Sequence, residues 1–262
     1  WISEKDDGQA EAINKGFTRC TGDLIGWINS DDFLLPYAVG LLGKAFRETP
    51  TSILLGDVIN IYEGSNLKYR VTQCNVSFRN FIEPWKERMI WHQPGTYVPR
   101  SLSERAGHLD ESLHYRFDQD WMCKLLLEAN VNYVQNPLAC FRLHSSSKSI
   151  SRSLFFLYES EEISRKYWAF LDDIDLRLAE AYFEIRYANH YLVLQNWNRG
   201  KGIEHLINSI TKDWRIGMHK IFYTLVIRAF LPVELVRTRE VMHSRLQNIQ
   251  EIPESSDITI LD

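Results

Sequence analysis

The chain has 262 residues, 45% of them hydrophobic, enough for one large domain, or one domain with an appendage, around a sizeable core. Thirty Lys and Arg face 34 Asp and Glu, a net charge of -4, which offers no case for nucleic acid as a partner. Cys20, Cys74, Cys123 and Cys140 are far apart and form no CxxC pair, so reduced, packed thiols in a cytosolic compartment are expected; no secretory leader and no bilayer-spanning run is expected either.

Trp1 opens the chain inside a pattern, Trp1 to Gln9, as if cut from something longer. Ala10, Ala12, Ile13 and Phe17 recur at helical spacing and predict a helix over 9–20. Leu24 to Ile28 reads as a buried strand, and it ends abruptly in Asn29-Ser30-Asp31-Asp32. A helix over 36–47 follows, with Pro36 near its start, where a fixed φ is tolerated. Residues 53–62 read as a strand interrupted by Asp57, 63–66 as a turn, and 67–71 as the returning arm of a hairpin. Residues 78–90 are expected to be helical in part, 93–99 a short strand, 102–106 a helical turn stopped by Gly107, and 118–129 a helix. Two short strands, 132–135 and 138–143, precede the polar break at 145–149, a candidate domain boundary. Beyond 153 strand signals vanish, and helical patterns run over 155–170, 173–197, 201–211, 216–230 and 233–248, before a loose acidic tail at 251–262. The expected organisation is an α/β portion over 1–150 followed by an all-helical region over 151–250.

Two acids at the exposed C-terminal end of a buried strand sit where α/β sheets bind ligands. Asp31 and Asp32 suit a divalent cation, Mg2+ or Mn2+, held against a phosphorylated substrate; capping of the next helix is the plain structural alternative. Asp118, opening a helix after the polar loop 110–116, suits a general base, with helix capping again the alternative. His144 could complete a metal site and Arg142 meet phosphate. Lys15 suits neutralising phosphate and Asn14 hydrogen-bonding a base or sugar, while a capped amphipathic helix explains both without a ligand. His92-Gln93 could contact an acceptor or merely end a helix. No Walker loop, GxSxG elbow, zinc cluster or GxGxxG fingerprint is present.

In order and spacing these pieces resemble the family 2 glycosyltransferases of the GT-A fold: Ser3 to Gln9, Ala12 to Phe17, Gly22-Asp23, Asn29 to Asp32, Gly56-Asp57, His92-Gln93, Arg100-Ser101, Gly107 to Leu113, Asp118 to Trp121, and Arg142 to His144. The resemblance covers about 1–150 and implies a Rossmann-like mixed sheet. It implies that Asn29 to Asp32 is the family's DxD-type motif, with Asp31 and Asp32 facing the metal and the donor diphosphate, and His144 beside them. It implies that Asp118 is the catalytic base, and that Asp120 begins the helix. Asn14, Lys15, Asn29, Ser30 and Arg142 fall on the donor side, although Asn14-Lys15 reverses the family's usual basic–Asn order. His92, Gln93, Asp120 and Trp121 are acceptor-side candidates. The implied activity is inverting, metal-dependent transfer of a sugar from a nucleotide-sugar donor to a glycan or lipid-linked acceptor, in cell-surface polysaccharide synthesis. The family's opening βαβ segment, which cradles the nucleotide base, is missing, so truncation is expected, with an unpaired sheet edge. The alternative function is therefore a catalytically incompetent relative that binds a glycan or a protein. A nucleotidyltransferase is disfavoured by the Asp118 region and the Arg142 to His144 closure.

Between Lys212 and Arg245 seven basic residues face three acidic ones, interspersed with apolar side chains. Packing on helical neighbours is the favoured reading of 216–239. Contact with an anionic membrane surface, at the inner face of the plasma membrane, is the alternative.

Overall fold

The computed structural model describes residues 2–63, 68–144, 153–171, 173–193, 198–231 and 250–251. Its centre is β3 (Ile53–Tyr62), which is buried along most of its length and reads as a nearly continuous apolar run because both its faces are covered. Ile53 and Leu55 point to one side, into a core with Val98, Leu102, Trp121, Met122 and Leu125. Leu54 points to the other, against Ala38, Leu42, Tyr97 and Leu138. The first core is roofed by α1 (Gln9–Arg19), α4 (Arg100–Ala106) and α5 (Phe117–Glu128), the second by α2 (Ala38–Glu48).

Along one edge of β3 runs β6 (Val131–Leu143), parallel to it. The other edge is shared between β5 (Thr96–Pro99), paired at Leu54 and Leu55, and β4 (Lys68–Val71), paired from Val58 to Ile61. The short strands β1 (Leu24–Ile25) and β2 (Phe33–Leu34) pair antiparallel to β5 and β6, and a two-residue strand, β7 (Gln250–Glu251), pairs with β4. The sheet is therefore mixed, as the α/β expectation required.

The structure differs from the expected elements in several places. The strand foreseen over 24–28 is paired only at Leu24 and Ile25, and Phe33–Leu34, between the acidic turn and the expected helix, form the unforeseen strand β2. The two strands expected at 132–135 and 138–143 are one, β6. Pro137 lacks an N–H and would break a regular ladder; the register shifts beside its partner Asp57 absorb it as a bulge. Asp57, the polar interruption in β3, accepts from Arg70 Nε at 2.6 Å and from the Gln73 N–H at 3.2 Å, so its buried charge is compensated. Only Phe78–Ile82 (α3) of 78–90 is helical. Cys123 and Cys140 are buried free thiols, as expected, but Cys20 is exposed.

Four helices follow: α6 (Ser153–Lys166), α7 (Asp173–Leu192), α8 (Arg199–Lys212) and α9 (Lys220–Phe230). Ile163 and Tyr167 belong to the core under the sheet, so α6 and the turn after it are anchored to the α/β portion, while Leu157 packs with Phe183 and Tyr187 of α7. Leu225 and Ala229 of α9 are buried against α7 and α8, which is the packing favoured for this stretch. Its outer side carries Tyr223, Ile227 and Phe230, exposed at i, i+4 and i+7. No helix among the described residues is long and apolar enough to cross a membrane. The polar break at 145–149, the turn residues 64–66, and the helix expected at 233–248 lie outside the described residues, as does the tail after 251.

The turn into β5 comes very close to β3. A Cβ on Gly95 would collide with the Gly56 carbonyl and the Gln73 side chain, and one on Gly56 with Leu138. Gly95→Ala is therefore expected to cost about 1–3 kcal/mol, the usual penalty for overpacking a filled site, measured as a lowered urea midpoint with an unchanged m-value.

Candidate active site

A cavity of about 710 Å³ opens where β1, β6 and the loop before α5 meet. Asn29, Ser30 and Asp31 line it from the turn after β1, His92 and Gln93 from the approach to β5, Asp118 from the first turn of α5, and His144 from the residue after β6. Seven of the sequence-selected residues thus share one wall system although they span more than half the described chain.

The acidic turn is not a helix cap. The residue preceding α2 is Tyr37, and no side chain caps that helix. Asp32 is turned inward: its Oδ2 accepts from Asn29 Nδ2 at 3.1 Å and its Oδ1 from the Arg142 backbone N–H at 2.9 Å. Burial pushes its carboxyl above the usual range, and those two donors pull against the shift. Asp32 so ties the turn after β1 to the end of β6, and the consequence is that Asp31 Oδ2 and His144 Nε2 stand 3.2 Å apart at the cavity wall. A carboxylate oxygen and an imidazole nitrogen suit Mn2+ or Mg2+ when phosphate oxygens and water supply the remaining positions. Among the described residues no group of three or more His, Cys, Asp or Glu converges, so the protein itself offers only this partial donor set.

Asp118 shares the cavity lining with Trp91, His92, Tyr115 and Arg116. Its Oδ1 accepts the Gln119 backbone N–H at 2.8 Å. Burial raises its pKa, and the Arg116 charge opposes the rise. A carboxylate in that state accepts a proton more readily than an exposed one. His92 is held neutral, its pKa lowered to about 4 by burial, so it offers the cavity a neutral imidazole rather than a cation. Gln93 Nε2 donates to the Trp27 carbonyl at 2.9 Å, fixing the strand exit beneath the acidic turn.

The remaining selected residues are not brought to the cavity. Asn14 is buried and clamps the loop before α5: Nδ2 donates to the Leu109 carbonyl at 3.0 Å, and Oδ1 accepts the Leu109 N–H at 2.9 Å. Lys15 pairs with Glu11 at 2.8 Å and donates to the Lys5 carbonyl, a solvated helix face. The Arg142 guanidinium lies over the Phe33 ring, 5.4 Å from its centroid. Asp120 is buried and pairs with Lys124 at 2.8 Å, and Trp121 packs on Phe17 and Trp27 with centroids 5.4 and 5.3 Å away. A donor role for Asn14, Lys15 and Arg142, and an acceptor role for Asp120 and Trp121, would each need these contacts to break.

One contributor left no trace in the sequence pattern. Glu159, on α6, accepts three successive backbone N–H groups, from His114 at 2.8 Å, Tyr115 at 2.7 Å and Arg116 at 2.8 Å. Three converging amides form a nest for an anion, and here the anion is a side chain from the helical region. The loop so held leads directly into Asp118.

Residues 2–104 match the family model of glycosyl transferase family 2. Over those residues the chain is similar to the family 2 glycosyltransferases. Among solved structures, the crystal structure of S. aureus TarS 1-349 in complex with UDP-GlcNAc is similar over 97% of this chain and 80% of that one, with 14% identity and a TM-score of 0.56. That of S. aureus TarS 1-349 in complex with UDP is similar over 94% of this chain and 77% of that one, with 14% identity and a TM-score of 0.52. At this identity the likeness shows the fold: a GT-A-like curled sheet followed by helices, spanning nearly the whole of this chain. No curated protein sequence matches it.

Glu159→Ala leaves three amides of the loop before Asp118 without their acceptor. A loss of about 1.5–3 kcal/mol in unfolding free energy is expected, the range for hydrogen bonds to a charged group, together with faster amide exchange at His114, Tyr115 and Arg116 by hydrogen-exchange mass spectrometry.

Proposed function

We propose that this chain is an inverting, metal-dependent glycosyltransferase that moves a sugar from a nucleotide-sugar donor to a hydroxyl of a glycan or lipid-linked acceptor, in the synthesis of a cell-surface polysaccharide. The observation that carries the reading is the meeting of the Asp31–His144 pair and Asp118 in the walls of one cavity. The family match supports the reaction class, and the UDP-GlcNAc and UDP complexes of the similar S. aureus TarS structures support the donor class.

The acceptor oxygen attacks the anomeric carbon of the donor sugar. Its proton passes to Asp118 as the new C–O bond forms. The bond from the anomeric carbon to the diphosphate oxygen breaks, and its electron pair leaves with the diphosphate. A single displacement inverts the anomeric centre, as in inverting glycoside hydrolysis with a sugar hydroxyl in place of water. Asp31 and His144 would hold the divalent cation, which when bound offsets negative charge on the leaving group. Asp32 serves this arrangement indirectly, by fixing Asn29 and the Arg142 backbone and so aiming Asp31. Burial of Asp118 keeps a proton acceptor of raised pKa in the same cavity as a neutral His92. The exposed outer stripe of α9 is the part of the chain that would lie on an anionic membrane surface bearing a lipid-linked acceptor.

Asp118→Asn keeps the shape and removes the base. Transfer is expected to fall by about 10²–10⁴-fold, the usual contribution of a general base, with donor affinity by calorimetry unchanged; an equal loss of donor binding sinks the assignment. Because the base works only when deprotonated and its pKa is raised, the acid limb of kcat/KM in wild type should lie above the ordinary carboxylate range. An acid limb at the value of an exposed Asp would contradict the role. Asp31→Ala and His144→Ala should each weaken the Mn2+ dependence of donor binding, and identical Mn2+ titrations for both variants and wild type would refute the metal role.

A further inference from the structure

A second cavity, about 650 Å³, lies between the α/β portion and the helices, next to the first. Trp91 and Arg116 line both. The walls of the second carry Lys86, Arg88, Arg116, Arg186 and Lys220 against one acid, Glu87. Lys86 is already paired with Glu83 and Asp175. The two arginines are not comparably matched. Arg116 has its guanidinium over the Phe156 ring, 5.0 Å from the centroid, and its Nε is buried with no acceptor. Arg186 donates to Ser160 Oγ at 3.1 Å and lies over the Phe183 ring. No carboxylate among the described residues comes within ion-pair distance of either, although Asp118, Glu159 and Glu161 are near enough to be felt. Burial, and then the Arg116 charge, lowers the Arg186 pKa to about 10. A second buried donor without an acceptor, Trp85 Nε1, belongs to the same lining.

Buried donors that lack acceptors are costly, and two like charges sharing a low-dielectric wall raise the cost. Both are relieved by an anion, and the planar guanidinium matches phosphate and carboxylate oxygens best. On this basis, and resting on the glycosyltransferase reading above, we propose that the second cavity is an acceptor subsite in which Arg116 and Arg186 bind an anionic group, a phosphate or a carboxylate, carried by the acceptor glycan. The shared wall at Arg116 places that anion one cavity away from Asp118, so a neighbouring hydroxyl of the same acceptor can reach the base. The acceptor class is thereby narrowed from glycans in general to acidic glycans.

The test is binding without donor, read by the fluorescence of Trp85 and Trp91 in the lining and by calorimetry. Glycerol phosphate, glucuronate and neutral glycerol are the probes for phosphate, carboxylate and no charge. Wild type should bind at least one anionic probe and not glycerol. Arg186→Gln should weaken that binding by about tenfold or more, the scale of a charge-assisted hydrogen bond, and Arg186→Lys should restore part of it. Lys44→Gln, which removes a positive charge on the exposed face of α2, should bind like wild type. Thermal unfolding of each variant separates lost binding from lost folding, and if Arg186→Gln fails to fold, the Arg186→Lys and Lys220→Gln titrations decide. Equal affinity for glycerol, unchanged binding in Arg186→Gln, or complete displacement of the anion by UDP would overturn the subsite. The last outcome would assign the arginines to the donor diphosphate. Donor hydrolysis is assayed separately: its absence with anion binding intact defeats the glycosyltransferase reading alone, and its presence without anion binding defeats the subsite alone.

Discussion

The Asp32 carboxylate holds together two points of the chain 110 residues apart, the turn after β1 and the end of β6. Without it the acidic turn would be an exposed loop, and the residue after β6 would have no fixed neighbour. With it, Asp31 and His144 are set at hydrogen-bond distance on the cavity wall. Much of the sheet serves the same closure. β6 must run parallel to β3 for its whole length to deliver His144 to the right height, and it does so through a bulge that accommodates Pro137. β5 must come close enough on the other side to bring His92 and Gln93 to the rim, which is why the approach tolerates only glycine at 95, while Gly56 makes room for Leu138 of β6.

Asp118 is positioned by a separate device. Asn14 clamps the loop at Leu109 from α1, and Glu159 clamps it at His114 to Arg116 from α6. The loop is therefore fixed at both ends before α5 begins, and Asp118 takes up its place in the first helical turn. Its burial and the adjacent Arg116 oppose each other in setting its proton affinity, and the same Arg116 also borders the second cavity. The two cavities are electrostatically one system.

Much of this was legible in the residues because strong local patterns coincide with the elements. The helices α1, α2 and α5 and the hairpin β3–β4 follow their apolar spacing. The acidic turn, Asp118 and His144 were singled out by their order and spacing along the chain, and the structure brings Asp31, Asp118 and His144 to one cavity. What was not legible depended on contacts distant in sequence. The stretch around Pro137 looked like a gap between two strands because the bulge that carries it within β6 is defined only by pairing with β3, far away in sequence. Asn14 and Lys15 looked like ligand contacts because nothing in their neighbourhood shows that Leu109 and Glu11 already engage them. Trp121 looked available because the aromatic partners that bury it are on α1 and after β1. Glu159 and Arg186 carry no local signal at all; on a helix, each is an ordinary charged residue until the loop or cavity opposite it is known.

The Glu159 contact bears on how such chains can be recombined. The helices resemble an appendage in the sequence, a module that could be exchanged for another to alter acceptor choice. A carboxylate from the first of those helices is nevertheless what terminates three amides of the loop before Asp118. Any chimera joined at the polar break between β6 and α6 would inherit the loop without its anion unless the incoming helix carries an acid at the same height. The natural crossover point for engineering lies after α6, where the exchange would alter the far wall of the second cavity and leave the loop intact.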